Sequence, residues 1–132
     1  MEFEERALRG SLFRVGPLLA VAVAGAVGGL IRTSISEIPS DWPWPTLLVN
    51  VAGAFSLGVV VMVGRRHWTP LLLAAVSVGM LGALTTFSTL AGQLWEMQDA
   101  GRLQDVASYF AASVLGGWMA AVAGVRLGRA LR

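Results

Sequence analysis

Charge is absent from four long stretches of the chain, and that absence predicts the architecture. Residues 15–31, 42–64, 68–95 and 106–125 carry no charged side chain, giving runs of 17, 23, 28 and 20 residues. A helix needs about 20 mostly apolar residues to cross the hydrocarbon core. The pattern predicts an all-α membrane protein with four transmembrane helices, about 12–32, 44–64, 70–96 and 105–126, in a single membrane domain spanning residues 1–132. The first run is short, but Arg14 and Arg32 at its ends can snorkel to the two interfaces. A cleaved signal peptide is the competing reading of that run. Against it, Met1–Glu5 is acidic rather than basic, and cleavage would deprive the other spans of a packing partner.

The segments between runs carry the turn formers and charges, among them Pro39, Ser40, Asp41 and Pro43 in the first, and Gly101 and Arg102 in the last. Trp42, Trp44, Trp68 and Trp95 fall at predicted span ends, where amphipathic rings prefer the interface. Small residues recur four apart: Gly25 with Gly29, Ala54 with Gly58, Gly124 with Gly128. Such faces let helix backbones approach closely in lipid, either inside one four-helix unit or across a dimer interface.

The third run is longer than a span needs. Its middle places Thr85, Thr86, Ser88 and Thr89 around Phe87, shortly after Gly79 and Gly82. Serine and threonine can bond back to their own helix. A cluster on all faces predicts instead an interrupted third helix, whose freed carbonyls can bind a cation and freed amides an anion. Thr46 and Asn50 lie one turn apart on the second span, and Asn50 is either a helix–helix bridge or a pore-lining donor. Tyr109 and Ser113 form a polar line on the fourth span, followed by Gly117. Arg32 is an interface anchor or an anion attractor at a vestibule.

Composition narrows the function classes. The chain is 55% hydrophobic and 14% charged, against about 25% charged in soluble domains. Its ten basic residues are all arginine and sit at the edges of the apolar runs, so they read as membrane flanks and not as a nucleic-acid stripe. There is no cysteine, which removes disulfides and thiolate metal sites, and the single histidine, His67, stands in a loop beside Arg65 and Arg66. No nucleophile–base pair is present, so the chain does not read as an enzyme. With four spans, eight arginines (6, 9, 14, 65, 66, 126, 129 and 132) share one side and two (Arg32, Arg102) the other. The positive-inside rule then places both termini in the cytoplasm, with the chain in the cell membrane.

At these residues the sequence resembles the Fluc (CrcB-type) fluoride ion channels. The resemblance is carried by Gly28-Gly29-Leu30-Ile31-Arg32, by Thr46–Phe55 with Asn50 and Gly58, and by Gly82 with Thr85-Thr86-Phe87-Ser88-Thr89. It implies an antiparallel dimer with two narrow pores and a central structural sodium ion. It implies further that Asn50 is a pore-lining amide and Phe87 a pore aromatic, that Gly82 and Thr85 give backbone carbonyls to sodium, and that Tyr109 and Ser113 belong to a polar track. Thr46, Thr86, Ser88 and Thr89 are candidate fluoride donors, and Arg32 a vestibule residue. A passive, fluoride-specific channel exporting fluoride from the cytoplasm is the function implied.

Four positions depart from the family pattern. Leu90 stands where a second phenylalanine is usual, Gln93 for a glutamate, Gly117 for a hydroxyl, and Pro45 for a glycine. The departures at Leu90 and Gln93, which a partner could make good, with the arginine bias opposing insertion in both directions, favour pairing with a related, unlike subunit over self-pairing. A small multidrug-type exporter would need a membrane-embedded carboxylate, and no Asp or Glu lies in any of the four runs. A non-conducting or assembly subunit would leave the polar clusters at Asn50 and Thr85–Thr89 unexplained.

Overall fold

The computed structural model describes the backbone of residues 2–131 and the side chains of residues 15–131. The side chains of Arg6, Arg9, Arg14 and Arg132 lie outside that range. Among the described residues, four helical segments are long and apolar enough to cross a membrane: Val15–Ser36, Trp44–His67, Pro70–Asp99 and Leu103–Ala130. The first belongs to α1 (Glu2–Ser36), the second is α2 (Trp44–His67). The third span divides into α3 (residues 70–84) and α4 (Ser88–Asp99), and the last is α5 (Leu103–Ala130).

Local chemistry fixes the ends. Pro45 sits in the first turn of α2, where its missing N–H would have no partner anyway, and Arg65, Arg66 and His67, expected in a loop, instead extend the helix by its last turn, at the negative end of the helix dipole. Thr69 caps α3 by accepting from the Leu72 amide at 3.2 Å, with Pro70 following it. Gly101, at φ 70, makes the tight turn between α4 and α5.

The interruption expected in the third span is present, and a second irregularity precedes it. α3 begins as an α-helix (Pro70–Ala74), widens to a π-helix over Ala75–Leu81, and tightens again at Gly82–Leu84. The chain then leaves helical geometry at Thr85, which is extended (φ −81, ψ 148), and restarts at Ser88. The π segment is where α1 packs closest. A Cβ at Gly79 would lie 2.5 Å from the Val21 carbonyl oxygen, and one at Gly28 would collide with the Met80 carbonyl.

The spans associate as two pairs, α1 against α3 and α2 against α5. Small residues make both contacts. A Cβ at Gly58 would fall 2.7 Å from the Ala121 carbonyl oxygen, and one at Gly124 would strike the Phe55 carbonyl. Of the four-apart glycines, Gly25, Gly58, Gly124 and Gly128 therefore pack inside the subunit, whereas Gly29 faces open space, as does Gly117 on the last span. Lipid removes most of the hydrophobic drive between helices, so this backbone proximity supplies the packing. The buried apolar cluster is small: Leu90, Met97 and Tyr109, with Trp42 set edge-on to Tyr109 at 5.4 Å.

Candidate functional site

The break in the third span is held by a side chain from α2. Thr86 donates its backbone amide to Asn50 Oδ1 at 2.8 Å, and Asn50 Nδ2 donates to the Thr86 carbonyl at 3.0 Å. Asn50 thus substitutes for the helical partners that Thr86 gives up. Gly53, one turn along α2, makes the approach possible, because a Cβ there would meet the Thr85 methyl group. Of the two sequence readings of Asn50, the bridging role is the one visible within this subunit.

Thr86 also organises the restart. Its hydroxyl accepts from the Thr89 amide at 3.2 Å, donates to Thr89 Oγ1 at 3.0 Å and lies 3.3 Å from Ser88 Oγ. This is N-capping by the residue two before α4. Thr85 behaves differently, its hydroxyl donating back to the Leu81 carbonyl at 3.1 Å.

These bonds leave two main-chain acceptors without their usual helical donors. The Thr86 amide, committed to Asn50, does not reach the Gly82 carbonyl. The Thr89 amide, committed to the Thr86 hydroxyl, does not reach the Thr85 carbonyl. The Ala83 and Leu84 carbonyls likewise lack the amides of Phe87 and Ser88, so Gly82 and Thr85 belong to a run of four main-chain oxygens freed by the break. Among the described residues no cluster of acidic or histidine side chains offers a competing metal site.

A second polar group lies between α2, α4 and α5. Tyr109 OH donates to Gln93 Oε1 at 2.7 Å, and Gln93 Nε2 donates to Thr46 Oγ1 at 3.1 Å. Tyr109 and Thr46 are both 0% exposed. Ser113, one turn beyond Tyr109, has a buried hydroxyl with no partner among the described residues. Gln93 was notable in the sequence only as a departure; here it joins the α2 and α5 polar lines. The available signal was that it is the sole side-chain amide in the run 68–95.

Gln93 also reaches the wall of a cavity of about 330 Å³ between the α1–α2 loop and the second half of α4. Arg102 secures that loop by donating Nη2 to the Asp41 carbonyl at 2.8 Å, while its Nε pairs with Asp105 at 2.7 Å. Arg32 is partly buried on α1 and does not line this cavity. Phe87 stands apart from the relay as well: it is 79% exposed and projects from the break to the subunit surface, with Ser88 exposed beside it. Leu90 points the other way, into the core with Tyr109 and Met97.

Comparison with known proteins matches the sequence to one family. The family model described as CrcB-like protein, Camphor Resistance (CrcB), matches residues 19–125. The chain is 39% identical over 113 residues to "Fluoride-specific ion channel FluC 2" of Geobacillus kaustophilus, covering 80% of this chain and 88% of that one. It is 38% identical to the protein of the same name from Nocardia farcinica (84% and 81% covered) and 38% identical to "Fluoride-specific ion channel FluC" of Hahella chejuensis (85% and 94% covered). Four membrane-spanning helices, an interrupted third span fastened by Asn50, and a match across most of the chain make this a multi-pass membrane protein that belongs to the CrcB-like family.

Proposed function

We propose that the chain is a subunit of a passive, fluoride-specific ion channel that lets fluoride leave the cytoplasm, and that it is not an enzyme. The observation that carries this reading is the buried Tyr109–Gln93–Thr46 relay beside the Asn50-pinned break, a line of neutral hydrogen-bonding groups with no carboxylate inside any of the four uncharged runs. Fluoride is small and strongly hydrated, and removing its water is costly unless other donors replace it. Amide and hydroxyl hydrogens from Asn50, Thr46, Ser88, Thr89 and Ser113 are the candidate replacements, Thr86 and Tyr109 joining them only by giving up their present acceptors Thr89 and Gln93, and Phe87 can present the positive edge of its ring. Neutral donors also keep binding weak enough for release. Without an embedded carboxylate, proton-coupled exchange has no coupling group.

The same reading pairs two subunits antiparallel, so that the exposed Phe87 of each meets the other. Sodium would be held at the break by the Gly82 and Thr85 carbonyls, where it supplies positive charge that ties the halves together. The arginine bias sets both termini in the cytoplasm of a cell-membrane protein and favours a related, oppositely oriented subunit as the partner. Topology reporters at the C-terminus test the orientation, and growth of fluoride-sensitive cells in acid medium tests the function. A C-terminus facing both sides in equal measure would return the assembly to a homodimer. Failure to restore growth, both alone and with the related subunit, would remove the channel reading.

A further inference from the structure

The second half of α5 carries two apolar grooves that meet at one arginine. One, of about 400 Å³, is lined by Ala121, Val122, Val125, Arg126 and Arg129. The other, of about 450 Å³, is lined by Trp118, Met119, Val122, Ala123 and Arg126. Val122 and Arg126 form the ridge between them. At about 100° per residue, this ridge lies opposite Gly124 and Gly128, which are buried against Phe55 and Met62 of α2. The grooved face is thus turned away from α2, and Trp118 on it is 67% exposed.

Depth and charge identify what covers it. Arg126 is the first charged residue after the uncharged run 106–125, so it stands where α5 leaves the hydrocarbon. Arg129 follows one turn later on the same face. Neither makes an ion pair among the described residues. Trp118 lies eight residues deeper, about 12 Å along the helix, at the level of acyl chains. Two grooves flanking a ridge that ends in two arginines match a two-chain lipid with a negative headgroup.

We infer that Arg126 and Arg129 bind the headgroup of an anionic diacyl phospholipid, whose phosphate, unlike that of a zwitterionic lipid, has no ammonium beside it to neutralise it, and whose two chains lie in the grooves on either side of Val122. Arginine suits phosphate through its planar fork of donors, and each arginine near a membrane surface contributes about fivefold in affinity for anionic lipid.

Native mass spectrometry of the purified full chain, with phosphatidylglycerol or phosphatidylcholine added, tests this. The wild type should retain phosphatidylglycerol about 25-fold more tightly, the product of two such arginines. Arg126→Gln/Arg129→Gln should fall to the phosphatidylcholine level, while Arg65→Gln/Arg66→Gln, with the same change in charge at the end of α2, should keep the preference. Inorganic phosphate should not displace the lipid, because it cannot fill the grooves. Val122→Trp, which builds the ridge out into the space of the acyl chains and keeps both arginines, should also weaken retention, and it carries the test if the double variant does not fold. Equal retention of the two lipids by the wild type, equal losses in the two double variants, displacement by phosphate, or full retention by Val122→Trp would each overturn the assignment.

Discussion

Asn50 and Thr86 exchange two hydrogen bonds, amide to Oδ1 at 2.8 Å and Nδ2 to carbonyl at 3.0 Å, so a side chain of α2 completes the backbone of the third span where that helix is broken. In a membrane no water is at hand to satisfy a broken helix, so an unmet amide or carbonyl there is expensive. Asn50 meets both needs of Thr86 at the break.

Asn50→Ala should therefore damage both folding and function. It leaves the Thr86 amide and carbonyl without partners, at about 1–3 kcal/mol each. Thermal unfolding in detergent should shift down and fluoride flux should vanish. Asn50→Asp keeps the acceptor but loses the donor and places a negative charge beside the path, so flux should be lost with a smaller fall in stability. Equal stability of wild type and Asn50→Ala would contradict the bridging role.

The two adjacent threonines should differ. Thr85 bonds only to its own helix at Leu81, so Thr85→Ala should change stability by less than about 0.5 kcal/mol. Thr86 caps α4, and Thr86→Ala should cost about 1 kcal/mol and loosen the restart. Unfolding midpoints of the two variants give the comparison, and the reverse order would show that the Thr85 side chain has a direct role.

How much of this was legible in the sequence follows from the kind of force involved. The four spans and the interruption were readable because uncharged length and clustered hydroxyls report directly on the bilayer. The residues Thr46, Asn50, Thr86 and Tyr109 could be named for the same reason. Their partners could not. Asn50 to Thr86 joins positions 36 apart, and Gln93 to Thr46 positions 47 apart, and no local period encodes either. The π-helix at Ala75–Leu81 was hidden too, since it arises where α1 meets Gly79, a tertiary contact. The opposite fates of Phe87 and Leu90, one exposed and one in the core, depend on where α4 restarts.

Glycine positions give a packing test. Gly124→Ala would drive a Cβ into the Phe55 carbonyl and should separate α2 from α5, with a loss of about 1–3 kcal/mol or failure to fold. Gly117→Ala meets nothing within 4 Å in the subunit and should leave its folding unchanged. Expression and thermal unfolding of the pair decide this. A well-folded Gly124→Ala would show that the helices are not held by backbone contact there.

The relay makes a further distinction. Tyr109→Phe removes the donor to Gln93 Oε1 and keeps the edge-on ring contact with Trp42, so it should reduce flux with a loss of only about 1 kcal/mol. Gln93→Leu leaves both Thr46 and Tyr109 without their partner and should be worse on both measures. Flux from reconstituted variants, normalised to folded protein, gives the order; a Gln93→Leu variant conducting like wild type would remove the relay from the path.

The central claim is passive, fluoride-selective conduction. It is tested most directly by efflux from proteoliposomes loaded with potassium fluoride or potassium chloride, with a potassium ionophore to set the membrane potential and no pH gradient. Protein is reconstituted alone and together with the related subunit. The account predicts that fluoride leaves as soon as the ionophore is added while chloride stays inside, in at least one of the two preparations. Retention of fluoride in both, or release that begins only when a proton gradient is imposed, would contradict it.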